Sequence, residues 1–213
     1  TCYFHKSIGG YHGAKMRRYQ DIIEKHLWRN NVKVLNMFNA KYIITGDPQQ
    51  PVQQNPKALG NAWFVAEIKE VNNPDEEIKA LNDFEPAKTA VIDISKFKIE
   101  KTSFKKAGSS IELVEYEPNY LKYKANAKQD GFVVFSEIYY DNGWNAFIDG
   151  KPSNYVRANY ILRAMKVPQG QHIIEFKFEP KTYYIGNKIM LVCSILVICF
   201  FAGAAIYTIR KEV

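Results

Sequence analysis

The chain has 213 residues, of which 46% are hydrophobic and 14% aromatic, and its net charge is +7. This apolar content excludes an intrinsically disordered chain, and the length allows one or two domains. The basic residues are scattered, with no run of five or more, so we expect a solvated basic surface and no nucleic-acid partner.

The first 60 residues predict a small helical part followed by a loop. Apolar residues have helical spacing over residues 13–27, and a second short helix is expected over 32–38. The segment KYIIT, residues 41–45, is typical of a strand. Residues 46–60 contain three Pro and four Gln without apolar periodicity, which predicts a loop. We therefore expect a helical or α+β lead-in over residues 1–45 and a Pro/Gln-rich loop over 46–60.

Residues 61–187 predict a β-sandwich domain. Nine strand-like runs alternate with turn signals, at 63–71, 89–94, 111–117, 121–127, 132–139, 145–148, 155–157, 161–167 and 172–178. A helix is expected over 74–82, opened by a proline in its first turn. Asp149–Gly150 is the residue pair that a type I′ hairpin requires. The expected fold is mainly β: an antiparallel, jelly-roll-like β-sandwich with a small α/β N-terminal part.

The C-terminal region predicts one transmembrane helix over residues 188–210. The 21 residues from Ile189 to Ile209 carry no charge and would span about 31 Å as a helix, close to the thickness of a bilayer core. A buried core helix of this length would carry a polar stripe, and the only hydroxyl groups here are those of Ser194, Tyr207 and Thr208. The flanks hold two basic residues on each side, so charge does not orient the helix. Because the chain starts with Thr1 and shows no signal peptide, we expect a fragment of a longer protein or a processed product.

Two groups of side chains are candidates for ligand binding. A Gly-Gly loop that leads into a basic helix could hold a phosphate, which predicts a site at His5, His12, Lys15, Arg17 and Arg18. The alternative is a packed loop with a solvated helix face. Tyr139 and Tyr140, beside Trp144, are typical of a surface that stacks on sugar rings, although Trp144 is more typical of a core residue.

No catalytic residue, metal site or cofactor is predicted. No serine lies in a G-x-S-x-G frame, and Asp149 is explained by its turn. The four histidines have no metal-ligand spacing, and no CxxC pair is present.

Several stretches taken together resemble a known family. They are FHKSIGGYHGAKMRRYQDIIE, VLNMFNAKYII, QQNPKALGNAWFV and, above all, residues 131–188. That last block has a Gly-Trp pair, an Asp-Gly turn, a P-x-G-x-H turn and an F-x-P exit in a fixed order before the apolar helix. Over nearly its whole length the chain resembles the C-terminal end of a YfhO-family bacterial membrane protein of the Bacteroidetes type.

The resemblance implies a function that spacing alone does not. Such proteins are polytopic and resemble GT-C glycosyltransferases, which move a sugar from a polyprenyl-phosphate carrier to an acceptor outside the cytoplasm. Their catalytic carboxylate lies in an early loop that this chain does not contain. The chain would then be a non-catalytic extracytoplasmic accessory domain with the last transmembrane helix, in the bacterial inner membrane. It would position a glycan acceptor or the lipid-linked donor. The alternatives are a stand-alone membrane-anchored binding module and a purely structural brace domain.

Overall fold

The computed structural model describes residues 7–9 and 13–212, and strands dominate the part that precedes the last helix. The helices are α1 (Arg17–Ile22), which continues into a π-helical turn (Ile23–Leu27), α2 (Val32–Met37), α3 (Pro74–Ala80) and α4 (Lys181–Glu212). The strands are β1 (Tyr42–Ile44), β2 (Val52–Gln54), β3 (Ala62–Val65), β4 (Glu67–Val71), β5 (Thr89–Asp93), β6 (Ser110–Glu117), β7 (Tyr120–Ala127), β8 (Gly131–Ile138), β9 (Trp144–Ile148), β10 (Lys151–Ser153), β11 (Val156–Ala158), β12 (Leu162–Val167) and β13 (Gly170–Phe178).

Two antiparallel sheets pack face to face and confirm the predicted β-sandwich. The five-stranded sheet has the order β10-β9-β13-β7-β6, and the four-stranded sheet has the order β11-β12-β8-β3. Alternate residues of both sheets bury their side chains in the core between them. The Phe135 ring of the four-stranded sheet lies edge-on to the rings of Tyr123 and Phe176 in the other sheet, at centroid distances of 4.9 and 5.0 Å.

The four-stranded sheet is buried on both of its faces. All five residues of the GFVVF run that opens β8 are buried. One face packs against the five-stranded sheet, and the other packs against α1, α2, α3, β4 and β5. Because neither face meets water, β8 carries a continuous apolar run where a half-exposed strand would alternate.

A β–α–β unit forms the third layer and departs from the expected purely antiparallel arrangement. Strands β4 and β5 pair in parallel, and α3 connects them. The predicted strand over residues 63–71 is therefore two strands that belong to different sheets. The break falls at Ala66, whose N–H donates to the Lys88 carbonyl. Helix α3 forms as predicted, with Pro74 in its first turn and the Asn73 side chain accepting from the Glu76 N–H at 2.9 Å.

The N-terminal helix and the loop after it differ from their predicted extents. Helix α1 begins at Arg17 rather than at residue 13, because the backbone of Met16 is extended and the regular helix cannot include it. The predicted loop over residues 46–60 contains β2, which pairs antiparallel with β1. All six residues of this hairpin are exposed.

Helix α4 is the one described helix that is long and apolar enough to cross a membrane. No part of its apolar span is buried against the rest of the described chain, so it is not a core helix of the β-sandwich domain. It begins at Lys181, so eight helical residues precede the apolar segment that starts at Ile189. These eight residues correspond to about 12 Å of helix rise.

Candidate functional site

The described residues of the predicted phosphate-binding site lie in different environments in the structure. His5 and His12 lie outside the described residues. Lys15 Nζ donates to Gln20 Oε1 at 3.3 Å, and exposed Arg17 pairs with Asp21 one helical turn on, at 3.1 Å. Helix α1 has only six residues, so Lys15 and Arg17 lie at the start of a short helix whose side chains already pair with one another.

Arg18 turns inward and pairs with a buried carboxylate. Its Nη1 lies 3.0 Å from Glu77 Oε2 and also donates to the Tyr160 carbonyl at 3.0 Å. Glu77, on α3, is fully buried and accepts the Tyr160 N–H at 3.0 Å. Burial raises the pKa of Glu77, and the positive charges of Arg157 and Arg18 oppose that rise. Arg18 therefore fastens α1 to the third layer.

The turn between β11 and β12 receives these contacts. Asn159 and Tyr160 both have positive φ angles, +51° and +71°, as the two central residues of a type I′ hairpin do. Asn159 Oδ1 accepts the Val91 N–H at 2.8 Å, while the Asn159 N–H donates to the Val91 carbonyl at 2.8 Å. The Tyr160 hydroxyl donates to Asp21 at 2.8 Å. The side chain and the backbone of Asn159 therefore pair with Val91 at the edge of β5, as a neighbouring strand would. These hydrogen bonds hold the strained turn in place.

Arg157 connects this ion-pair network to the predicted sugar-stacking residues. Its Nη2 lies 3.8 Å from Glu77 Oε2, and its guanidinium lies 5.8 Å from the Tyr139 ring centroid. Burial lowers the pKa of Arg157, and the negative charge of Glu77 counteracts this. The structure thus brings Arg18 and Tyr139, which are distant in sequence, into one chain of contacts.

Tyr139 is packed, whereas Tyr140 is exposed. The Tyr139 ring lies 5.7 Å from Phe97 and 5.4 Å from Tyr155, and burial raises its pKa. Tyr140 has 42% of its surface exposed, and its carbonyl accepts the Tyr155 hydroxyl at 3.0 Å. Burial raises the pKa of Tyr155 to about 12, so its hydroxyl stays protonated and remains a donor.

A buried arginine lies next to these rings. The Arg163 guanidinium lies 4.1 Å from the Trp144 ring centroid, and its Nε donates to the Ile138 carbonyl at 3.0 Å. Burial lowers the pKa of Arg163, while the nearby charge of Glu137 acts in the opposite direction. Its Nη1 has no hydrogen-bond partner within the described part of the chain. Trp144, expected in the core, is half-buried at the edge of the core.

We call Tyr139, Tyr140, Trp144, Tyr155 and Arg163 the anchor-side cluster, because this corner of the sandwich is where α4 departs. The Trp144 ring lies 5.3 Å from Phe178 at the end of β13. The Glu179 N–H donates to the Gly143 carbonyl at 2.6 Å, and α4 begins two residues later. The loop before β9 is therefore clamped to the start of the membrane helix.

Sequence reasoning missed Glu77, Arg157, Tyr155 and Arg163 as members of these networks. An arginine within an otherwise apolar strand, as in the LRAMKV segment of β12, is a signal for a buried guanidinium that needs partners. The partners themselves come from distant segments, and nothing in the local pattern identifies them.

The described residues hold no group of three or more His, Cys, Asp or Glu side chains that could bind a metal ion. A shallow depression of about 310 Å³ lies over β6, β7 and β13, lined by Ser110, Ile111, Glu112, Lys124, Asn126 and Gln171. It includes no residue of the anchor-side cluster. The cluster consists of four aromatic rings and one guanidinium group.

Comparison with protein families gives a match over the C-terminal half of the chain. Residues 81–190, more than half of the chain, match the family described as bacterial membrane protein YfhO. The matched range includes the anchor-side cluster and the beginning of the apolar segment of α4. Comparison with curated proteins and with solved structures gives no match. The chain belongs to the YfhO family of bacterial membrane proteins.

Proposed function

We propose that this chain is an extracytoplasmic accessory domain of a multi-pass YfhO-family protein of the Bacteroidetes type. The protein resembles glycosyltransferases that use lipid-linked sugars, and it lies in the bacterial inner membrane. The domain positions a glycan acceptor or a polyprenyl-phosphate-linked donor. The reaction itself takes place in a part of the protein outside this chain.

The observation that supports this role most directly is the location of the anchor-side cluster. Its Gly143–Trp144 loop is bonded to Glu179, and only about 12 Å of helix separates Lys181 from the apolar segment of α4. Exposed Tyr140 and half-buried Trp144 offer ring faces and polar edges close to the bilayer. A lipid-linked sugar or a membrane-bound acceptor would reach this corner of the domain.

The chemistry of the cluster also suits a polar ligand. Arg163 carries a buried N–H without a partner within the described residues, and such groups are uncommon in folded proteins. A ligand acceptor that displaced the Trp144 ring from the guanidinium would satisfy it. The Tyr155 hydroxyl fixes the loop by donating to the carbonyl of Tyr140.

A brace domain is the second candidate, and a specific observation favours it. Lys15, Arg18 and Tyr139 all have partners within the chain. Side chains occupied in this way hold layers together and leave fewer groups for a ligand. In this alternative, the domain supports the membrane helices and binds nothing.

The replacement Tyr140→Ala in the complete protein separates the two candidates. Tyr116 is the matched control, because it lies on the edge strand β6 with 43% exposure against 42% for Tyr140. The assay follows incorporation of a radiolabelled sugar from a lipid-linked donor into extracytoplasmic glycan, with the protein level in membranes measured in parallel. The accessory role predicts a loss of transfer for Tyr140→Ala and normal transfer for Tyr116→Ala. Unchanged transfer in both variants contradicts the accessory role.

A further inference from the structure

The β1–β2 hairpin is an apolar ribbon that nothing in the described chain covers. Tyr42, Ile44 and Val52 each expose between 51% and 64% of their surface. A two-stranded hairpin alone is marginally stable in water. This one is joined to the domain through Asn55, whose Nδ2 donates to Asn36 Oδ1 and to the Ala40 carbonyl.

Two further apolar side chains close to the hairpin in sequence are also exposed. Trp28, after the π-helical turn, is 71% exposed, the largest value among the described large hydrophobic residues outside α4. Val32, at the first position of α2, is 54% exposed. We call Trp28, Val32, Tyr42, Ile44 and Val52 the apolar surface. The register of the hairpin places Tyr42, Ile44 and Val52 on one face, and exposed apolar side chains grouped on one face mark contacts with a partner or a membrane.

Basic residues accompany the apolar surface. Residues 24–57 contain five basic and two acidic side chains, a net charge of +3, which is half of the +6 carried by residues 1–188. None of the five forms an ion pair with any residue that the structure describes, and Lys33 alone among them donates its ammonium group to a backbone carbonyl, that of Asn82. Their charges are therefore available to an anionic partner.

Aromatic and aliphatic side chains accompanied by Lys and Arg match the chemistry of a lipid head-group region. Trp and Tyr rings favour that interface, aliphatic side chains reach the acyl boundary, and cations attract anionic lipids. Helix α4 holds the chain at a membrane, so a lipid surface is close to the domain at all times. We propose that the apolar surface is a second membrane contact, in which Trp28 and the β1–β2 hairpin lie in the head-group region of an anionic bilayer.

Trp28 itself reports on this contact. The full chain is reconstituted in nanodiscs of phosphatidylcholine, with or without phosphatidylglycerol, and with or without lipids brominated on their acyl chains. The emission of Trp28 is obtained as the difference in fluorescence intensity between the native chain and the Trp28→Phe variant. The other two tryptophans, buried Trp63 and half-buried Trp144, are present in both proteins, so their emission cancels in the difference.

The proposal predicts that brominated lipid reduces the Trp28 emission about twofold in the anionic discs. In 1 M salt the Debye length falls to about 3 Å, so this quenching decreases. Ile44→Ser also decreases it, whereas Val114→Ser does not, although Val114 is a similarly exposed aliphatic residue on β6.

Two results would overturn the proposal. The first is Trp28 emission that acrylamide quenches to the same extent in all discs and that brominated lipid does not change. The second is protection of Trp28 that depends on protein concentration and not on lipid charge, which would identify a second copy of the chain as the occupant.

Discussion

Replacing Gly143 by Ala tests the clamp between the sandwich and the membrane helix. Gly143 has a φ angle of +99°, and a Cβ built there would lie 2.9 Å from the Phe178 ring, 2.9 Å from Pro180 Cβ and 3.0 Å from Pro180 Cα. The positive φ costs about 1–2 kcal/mol for a residue other than glycine. The overlap adds about 1–3 kcal/mol, because the backbone of Pro180 cannot move aside as a side chain can. We expect Gly143→Ala to lower the free energy of unfolding by about 3 kcal/mol.

Gly150 supplies the matched control. It also has a positive φ, +75°, but no atom lies within 4 Å of the position of its Cβ. Gly150→Ala should therefore lower the free energy of unfolding by about 1 kcal/mol. The assay is urea unfolding of the full chain in detergent micelles, followed by tryptophan fluorescence, to which buried Trp63 and half-buried Trp144 contribute. If the two variants differ by less than about 0.5 kcal/mol, Gly143 does not pack against the start of α4 as described.

Two further predictions concern charge. The Nδ1 atom of His172 lies 2.6 Å from the Asp149 carboxylate, and its Nε2 atom lies 3.2 Å from the Gln169 carbonyl. Only the protonated ring can donate to both acceptors at once, so the pKa of His172 is raised. The resulting stability is complete below the unfolded pKa of about 6.5 and is lost as the pH rises through the folded pKa. We expect the native chain to lose about 1 kcal/mol between pH 6 and pH 8.5 relative to His172→Gln, since Asp149 is half-exposed; equal pH profiles would contradict this. In the same unfolding assay, Arg18→Ala should lower the free energy of unfolding by about 2 kcal/mol, because it removes a hydrogen-bonded partner of a buried carboxylate. The control, exposed Arg17→Ala, should lower it by less than about 0.5 kcal/mol. Comparable losses in the two variants would mean that Arg18 does not hold α1 in place.

The strands were predictable because their patterns are local. In β13, Ile174 and Phe176 lie on one face and are fully buried, as the alternation in HIIEFKF indicates. The turn at Asp149–Gly150 was predictable for the same reason, since both residues have the positive φ that a type I′ turn requires. A strand or a tight turn expresses its requirements within a few residues.

The layer arrangement was not predictable, because it depends on long-range pairing. Residues 63–71 have strand-like composition throughout, and the change from the apolar WFVA to the charged EIKEV after Ala66 fits one strand that becomes half-exposed as well as it fits two strands in different sheets. The parallel partner of β4 lies beyond α3, and a parallel pair needs such a crossover connection. Similarly, Arg18 finds Glu77 59 residues away. The basic helix therefore suggested an anion site where the structure has an internal ion pair.

Of the two tyrosines that were predicted to stack on sugar rings, only one is exposed. Aromatic residues next to Asp and Gly indicate either a surface or a core edge, and the structure contains both. Tyr139 packs between Phe97 and Tyr155, and Tyr140 remains exposed. These two adjacent residues follow the end of β8 and lie in different environments. The sequence alone does not indicate which of the two is exposed.

The side of the membrane on which the sandwich lies tests the central proposal most directly. A reporter cysteine is introduced as Ser110→Cys, at an exposed position on β6, into a complete protein whose native cysteines, Cys2 included, are replaced by Ser. An impermeant maleimide is applied to intact spheroplasts that carry the complete protein. The extracytoplasmic domain proposed here predicts labelling before lysis. Labelling only after lysis would contradict it and place the domain, with its anchor-side cluster, in the cytoplasm.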